Sequence, residues 1–271
     1  MRHRPLARTF ATRTVAACAL AALAGCAPRL AVHPDLVLDE RAARYRTALA
    51  ERQAPETMVD ASLVVWTELG ERRLPGVEAQ LLLAAPDAFR FRVGSLFGTA
   101  LDLAARGDSL VAYVPSRRTG TRLDATRDSL GLLNPGSLGF RALAAAWSPP
   151  EAAWAAGAAE DSLWRITWLE DGDTLRLAVG TSGLPVWASL TRPGKPEVRA
   201  GYRGWNAGHA TTWPDIVEIE EAGGRVRVVY RVSQVRFPQR DAARLAVRIP
   251  PGAATLTVDE LRETIERLGA F

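Results

Sequence analysis

Beyond the first quarter of the chain, apolar and polar residues alternate with a period of two, and this pattern limits the folds available to the sequence. Phe89, Phe91 and Val93, for example, alternate with Arg90 and Arg92. Such alternation is typical of a strand with one buried side and one side facing water. Turn signals such as Pro-Gly, Pro-Asp and Gly-Asp separate about ten or eleven segments of this kind. The sequence therefore predicts a mainly β fold.

The predicted strands fall into two groups, one in each half of the chain. They are Ser62–Leu69, Val77–Ala84, Ala88–Val93, Thr99–Ala104, Ser109–Val114, 164–168, 175–179, Val186–Thr191, Val198–Tyr202, Asp215–Glu221 and Arg225–Phe237. Because short turns join consecutive strands, we expect an antiparallel meander. In the last strand the apolar phase slips, which predicts a bulge near Ser233 and Gln234.

Helical periods flank and interrupt the strands. An amphipathic helix is predicted before Pro55, with its apolar stripe on Leu38, Ala42, Tyr45 and Leu49. In the middle of the chain, Phe140, Leu143, Ala144 and Trp147 share one helical face, and Pro149 and Pro150 would end that helix. A second short helix is expected within 151–159.

The C-terminal end carries a third helical signal. Thr257 and Glu260 form a capping box, followed by the stripe Leu261, Ile265 and Leu268, with Gly269 closing the helix. No repeat or low-complexity tract divides the chain. We therefore expect residues 39–271 to form a single domain.

The N-terminus has the layout of a secretory signal. Arginines without any acidic residue precede the apolar run Val15–Ala22, which is too short to cross a membrane. The following Leu23-Ala24-Gly25-Cys26 resembles the lipobox of bacterial lipoproteins. This resemblance implies that residues 1–25 are removed, that Cys26 is lipidated, and that residues 26–38 form a tether. The alternative is an ordinary signal cleaved near a chance cysteine.

Removal of this segment changes the charge and the cysteine count. The whole chain has 34 basic and 30 acidic residues, and four of its arginines lie before Cys26. The mature chain is therefore neutral, which argues against nucleic acid as a partner. Cys18 would be lost with the signal, so Cys26 would have no cysteine for an intrachain disulfide.

Residues for catalysis or metal binding are few. The three histidines are His3, His33 and His209, in the predicted signal, the tether and a glycine-rich turn. Asp171 and Asp173 flank a glycine and are expected to be turn residues. Other chemical signals also have structural explanations: Gly180–Gly183 predicts a hairpin turn, and Glu218 and Glu220 face Arg225 and Arg227 across a turn. We expect neither an enzyme nor a bound metal or cofactor.

The aromatic content allows two interpretations. The eight tryptophans either fill an ordinary core or partly line a cavity for an apolar ligand, covered by the inserted helices. Strand and helix phases place one set of apolar residues together in such a cavity. The set is Phe89, Phe91, Trp164, Ile166, Trp168 and Leu177 on the strands, with Phe140, Leu143 and Trp147 above them.

The loop Gly94–Thr99 is unusual because it joins two clearly alternating strands with two large apolar residues, Leu96 and Phe97, at its tip. Polar turn residues are expected at such a position. The loop either folds back and buries both side chains, or presents them to a membrane or a partner.

Taken in order, these features resemble the LolA/LolB family of periplasmic carriers and outer-membrane lipoprotein receptors. The resemblance covers roughly residues 40 to 240: the N-terminal helix, the Phe-Arg-Phe-Arg strand before the apolar loop, the Leu-Gly-Phe-Arg-Ala-Leu-x-x-x-Trp helix and the Val-Arg-Val-Val-Tyr-Arg-x-Ser strand. It implies an open antiparallel β half-barrel covered by helices, with an apolar cavity for lipoprotein acyl chains. Leu96 matches the position of an exposed apolar residue that the receptor needs to pass cargo to the membrane. The tail after Phe237 is longer than in the receptor.

The resemblance also implies a function and a location. We expect a lipoprotein anchored through Cys26 on the periplasmic face of the outer membrane, since Ala27 after the cysteine fits outer-membrane sorting. It would bind acyl chains, receive lipoproteins from a periplasmic carrier protein and insert them. A lipid- or glycolipid-binding accessory lipoprotein without insertase activity is the alternative, and a hydrolase with an unrecognised site is a third.

Overall fold

The long strand β1, Val59–Leu69, has neighbours on both sides and joins the two halves of the chain into one sheet. The computed structural model describes residues 34–54, 56–124, 137–206, 212–224 and 226–268. The chain divides into residues 1–39 and a compact unit of residues 40–271. All side-chain contacts given below lie within the second.

The described residues form a mainly antiparallel sheet of fifteen strands. After β1 the strands are β2 Arg72–Arg73, β3 Val77–Ala84, β4 Ala88–Ser95, β5 Gly98–Arg106, β6 Ser109–Val114, β7 Thr119–Asp124, β8 Ala158–Glu160, β9 Leu163–Glu170, β10 Asp173–Val179, β11 Pro185–Thr191, β12 Val198–Asn206, β13 Trp213–Glu221, β14 Val226–Arg236 and β15 Ala254–Thr255. Their order is β15-β7-β6-β5-β4-β3-β1-β14-β13-β12-β11-β10-β9-β8, with β2 paired to β1.

The predicted mainly β, open antiparallel fold is confirmed, with two differences in its strands. The chain forms two meanders, β3 to β7 and β8 to β14, and the pairing of β1 with β14 joins them. The prediction of a single meander, in which each strand pairs with the next one in sequence, is therefore wrong. In addition β2, β7, β8 and β15 were not predicted, because they are two or three residues long or, like the Thr-Gly-Thr start of β7, lack apolar alternation.

Local irregularities in the strands agree with the sequence pattern. In the β1–β14 ladder, Ser62 pairs with Gln234 and Leu63 with Val232, so Ser233 is the extra residue of the predicted bulge. The turn between β9 and β10 has positive φ at Asp171 and Gly172, 53° and 84°. Asp171 is therefore a turn residue, as predicted.

The helices begin and end at different residues from those predicted. Helix α1 is Pro34–Arg52 and so includes the last five residues of the predicted tether; proline is tolerated in the first turn of a helix. Helix α2 is Ser137–Ala144, because Ala145 adopts a left-handed φ of 51° and ends it. Trp147 is therefore not part of that helix. Helix α3, Glu151–Ala155, is shorter than the predicted segment, and β8 begins three residues after its end.

The chain after β14 packs against the sheet instead of forming a separate unit. Helix α4, Ala242–Leu245, contacts β3 and β4, and the parallel strand β15 extends the sheet beyond β7. Helix α5, Val258–Leu268, begins with the predicted capping box: Thr257 N donates to Glu260 Oε2 at 2.8 Å and Glu260 N to Thr257 Oγ1 at 3.2 Å. The side chains of Ile265 and Leu268, and Gly269, lie outside the described residues.

The strand register defines two faces of the sheet. Residues opposite each other in adjacent antiparallel strands point to the same side. One series runs from Phe91 through Leu81 to Ala61, and another from Thr67 through four strands to Leu177 and Ile166. Ala61 and Thr67 lie on the same side of β1, so both series lie on one face. We call it the covered face and the opposite side the outer face.

Candidate functional site: a covered apolar face and an exposed hairpin tip

The covered face holds all six strand residues that the sequence assigned to a cavity. Phe89 and Phe91 lie on β4, Trp164, Ile166 and Trp168 on β9, and Leu177 on β10. All are buried except Trp164, which is half-buried. The structure thus brings these residues to one face of one sheet, while their role as a lipid cavity remains a prediction.

A lid segment, residues 137–147, lies on the covered face. It comprises α2, which contacts β3, β4 and β13, and the three residues that follow it. Phe140, Leu143 and Trp147 are buried. The lid thus packs its own apolar side chains against part of the covered face.

The hydroxyl of Tyr202 on β12 holds the lid from the sheet side. The Trp147 indole Nε1 donates to the Tyr202 hydroxyl at 2.7 Å, and that hydroxyl donates to the Ala142 carbonyl at 2.9 Å. Burial raises the pKa of Tyr202 far above its usual value. Burial thus further favours the protonated hydroxyl, which donates to the Ala142 carbonyl.

Helix α1 holds the same segment from its other side. The Tyr45 hydroxyl donates to the Trp147 carbonyl, and its ring contacts Trp154 of α3 at 5.2 Å between centroids. Gln53, directly after α1, donates from Nε2 to the Ala146 carbonyl of the lid at 3.5 Å. The lid is thus tied to two elements that are far apart in sequence.

Arg52, at the end of α1, is a buried cation beside the lid. Its Nη2 donates to the Ala145 carbonyl at 3.3 Å, and its guanidinium lies 5.4 Å from the Trp205 ring centroid. Its Nε and Nη1 have no hydrogen-bond partner among the described residues. Desolvation by burial lowers its pKa. The sequence did not single out Arg52, because an arginine in the last turn of a helix is ordinarily solvated there.

The β4–β5 hairpin ends in the two apolar side chains noted in the sequence. Leu96 and Phe97 are each 98% exposed, so the loop does not fold back over them. Ser95 Oγ donates to the Gly98 carbonyl at 2.9 Å and accepts from Phe97 N at 3.3 Å, and Gly98 has a φ of 111°. These bonds hold the tip in a tight turn that projects both side chains into solvent.

Groups that could support catalysis have structural partners. Asp173 is buried and pairs with Arg192 at 3.3 Å, and Gly180 to Gly183 form a hairpin turn. Glu218 accepts from Arg227 at 2.7 Å, as predicted for this pair of strands, while Arg225 lies outside the described residues. Across the part of the chain that the structure describes, no three His, Cys, Asp or Glu side chains cluster as metal ligands.

Residues 1–33, which include the signal, Cys26 and His33, and also His209 lie outside the described residues. The lipid anchor therefore remains a prediction from the sequence. Among the described helices, none is long and apolar enough to cross a membrane.

Comparison with known proteins places the fold in the class of LolA-like open sheets. The structure is similar to a LolA superfamily protein from Nitrosomonas europaea, with 12% identity, a TM-score of 0.54 and coverage of 76% of this chain and 96% of the other. It is also similar to a putative outer membrane lipoprotein-sorting protein domain from Vibrio parahaemolyticus, with 8% identity, a TM-score of 0.52 and coverage of 73% and 92%.

A third similar structure is a DUF1329 family protein from Desulfovibrio piger, with 9% identity, a TM-score of 0.51 and coverage of 75% and 98%. No protein-family model and no curated protein sequence matches the chain. At these identities the similarity concerns the fold, which agrees with the architecture expected from the sequence.

Proposed function

We propose that this protein is an envelope lipoprotein that binds lipid acyl chains on the covered face and passes apolar cargo to a membrane through the β4–β5 hairpin tip. The observation that carries the proposal is the exposure of Leu96 and Phe97, 98% each, on a fold shared with a lipoprotein-sorting domain. Anchoring through Cys26 in the outer membrane, and delivery of cargo by a periplasmic carrier protein, belong to the same proposal.

The tip suits brief insertion better than permanent anchoring. Burial of a leucine and a phenylalanine in the acyl region contributes roughly 3–6 kcal/mol in all. That free energy is too small to hold a protein of this size at a membrane. It is large enough for the tip of a protein that is already lipid-anchored to insert briefly and repeatedly. The anchor on Cys26 would supply the lasting attachment.

The covered face suits partial and reversible burial of cargo. Three acyl chains of about fifteen methylenes would gain ~36 kcal/mol on leaving water at ~0.8 kcal/mol per methylene. Non-covalent affinities reach at most ~18–21 kcal/mol. A site closed by a lid that has its own apolar side chains can bury only part of such a ligand, so the membrane remains the stronger acceptor.

A transfer assay tests the proposal. The full-length chain is loaded with a fluorescent triacylated lipopeptide, mixed with liposomes, and transfer is followed by energy transfer to a membrane dye. Leu96→Glu with Phe97→Glu should lower the transfer rate at least tenfold while cargo binding stays within twofold. Leu169→Glu is the matched control, because Leu169 is also exposed, at 76%, but lies on β9 away from the tip.

The outcomes separate the two functional classes. If the lipopeptide binds but liposomes do not discharge it from the wild type, the protein is a binding lipoprotein without insertase activity. If the lipopeptide does not bind at all, the covered face has no acyl-chain site. Equal transfer rates of the wild type and the double variant would show that the tip takes no part in transfer.

A further inference from the structure

A cavity on the outer face is lined by residues that have no role in the proposed function. It has a volume of about 560 Å³ and lies between strands β4 to β7 and the chain around α4. This volume falls within the range of small-molecule sites. Its lining includes Arg106, Arg122 and Arg240, and no carboxylate is found among the lining side chains that the structure describes.

The strand register explains how two of these arginines reach one space. Arg122 on β7 pairs with Val111 on β6, and Val111 pairs with Ala104 on β5. Arg106 lies two residues beyond Ala104 on the same face of β5. Adjacent strands are about 4.8 Å apart and alternate residues about 7 Å, so the two arginine Cα atoms lie on the order of 12 Å apart. The two arginine side chains are long enough to meet above Ala104, whose own side chain is small.

The third arginine comes from the chain after β14. Arg240 is half-buried, with its backbone N donating to the Glu56 carbonyl and its Nη1 donating to the Ala85 carbonyl, both at 2.9 Å. These bonds fix its position and leave further guanidinium N–H groups for another acceptor. Leu245 and Val247 from the same segment add an apolar wall.

Two neighbouring arginines on the outer face, by contrast, form ion pairs with carboxylates. Arg90 pairs there with Asp102 at 2.5 Å, and Arg244 with Asp60 at 2.7 Å. Among the described side chains, no ion pair involves Arg106, Arg122 or Arg240. Three like charges around one cavity repel one another, and an anion between them would relieve that repulsion.

We propose that this cavity binds a small phosphate-bearing ligand, with the arginines and Ser109 donating to the phosphate and the Ala104, Leu245 and Val247 side chains contacting its apolar part. The site lies on the opposite face from the acyl-chain site and is independent of the proposed function. A free phosphate ester and the headgroup of a phospholipid share this chemistry, and the experiment distinguishes them.

Isothermal titration of the full-length chain in a nonionic detergent tests the site. The probes are inorganic phosphate, glycerol 3-phosphate, dihexanoyl phosphatidic acid and, as the zwitterionic comparison, dihexanoyl phosphatidylcholine. We expect one phosphate-bearing anion per chain, with affinity that falls as the salt concentration rises. Binding of the phosphatidic acid alone identifies a lipid headgroup, whereas binding of glycerol 3-phosphate with similar affinity identifies a free phosphate ester.

Arginine variants decide whether binding occurs in this cavity. Arg106→Gln and Arg122→Gln should each weaken binding at least about tenfold, since each removes a charged hydrogen-bond donor. Arg72→Gln removes the same charge from an exposed position on β2, outside the cavity, and should leave binding unchanged.

Three results with these probes would overturn the proposal: no binding by any of them, equal loss in Arg72→Gln, or binding that Arg106→Gln and Arg122→Gln do not weaken. Polyglutamate is titrated as a further probe, and a fourth result, its binding with the same arginine dependence while no phosphate compound binds, would point to an acidic protein segment and would equally overturn the proposal. Circular dichroism of each variant confirms that the chain is folded before titration.

Discussion

The Trp147 indole donates a 2.7 Å hydrogen bond to the Tyr202 hydroxyl, and through it the lid is tied to strand β12. Both groups are buried. If either group lost its hydrogen-bond partner, water could take that place only after the lid had opened. This pair therefore links the stability of the closed conformation to access to the covered face.

Removing the hydroxyl should weaken the closed lid. Tyr202→Phe leaves the Trp147 N–H and the Ala142 carbonyl without that partner, and a buried unsatisfied group costs about 1–3 kcal/mol. Urea unfolding should show a loss of that size. Tyr113→Phe on the outer face is the control, because no hydrogen bond of its hydroxyl is found among the described residues, and should change the free energy of unfolding little. Equal losses in both variants would contradict the role given to Tyr202.

Charging the hairpin tip should not affect folding. Leu96 and Phe97 contribute almost no buried area, so Leu96→Glu with Phe97→Glu should keep the free energy of unfolding within about 0.5 kcal/mol of wild type. Leu81→Glu, on the covered face, should unfold the protein because it buries an unpaired carboxylate. Thermal unfolding followed by circular dichroism measures both, and an unfolded double variant would show that the tip packs against the domain.

A buried carboxylate holds the C-terminal segment on the outer face. Asp60 accepts from Arg244 of α4 at 2.7 Å and from Gln80 at 2.9 Å, and Arg236 lies 3.5 Å away. Burial acts to raise the pKa of Asp60, but the hydrogen bonds from Arg244 and Gln80 and the two arginine charges outweigh it and lower the pKa below its usual value.

Asp60→Asn should therefore lower stability in a pH-dependent way. Because the folded pKa lies below that of the unfolded chain, about 3.9, the contribution of Asp60 is complete above that pH and is lost as pH falls through the folded pKa. We expect a loss of about 1–3 kcal/mol at pH 7 that diminishes below pH 4 in urea titrations. Asp108→Asn, at an exposed site, should show neither effect, and a pH-independent loss in Asp60→Asn would contradict the assignment.

Close packing around Trp164 should make Gly157 intolerant of a side chain. A Cβ there would lie 2.4 Å from Trp164 Nε1 and 2.9 Å from the Arg165 carbonyl oxygen. Gly157→Ala should destabilise the fold by about 1–3 kcal/mol. Gly201→Ala is the matched control, because its nearest atom would be 4.0 Å away. Chemical unfolding that shows no difference between the two variants would disprove the contact.

The anchor is tested by metabolic labelling with palmitate. Cys26→Ala should abolish labelling and leave the protein uncleaved or mislocalised, since lipidation requires the thiol. Cys18→Ala is the control, because Cys18 lies in the segment that is removed and should not affect the label on the mature chain. Equal labelling of the wild type and Cys26→Ala would exclude Cys26 as the site.

The sequence by itself determined most of the local structure. Period-two alternation predicted the strands around Phe89, Phe91, Trp164 and Leu177, and the strand pairing places these residues on one face as their phase requires. The slipped phase predicted the bulge at Ser233. These predictions succeed because side chains alternate across a strand whatever the strand pairs with.

Only the tertiary structure decided which segments that are distant in sequence come into contact. The pairing of β1 with β14 and the contact of Trp147 with Tyr202 join segments whose patterns say nothing about each other. The same is true of the cavity that brings Arg240 to Arg106 and Arg122. Periodicity records which side of an element is buried, whereas the partner of that side depends on the packing of the whole chain.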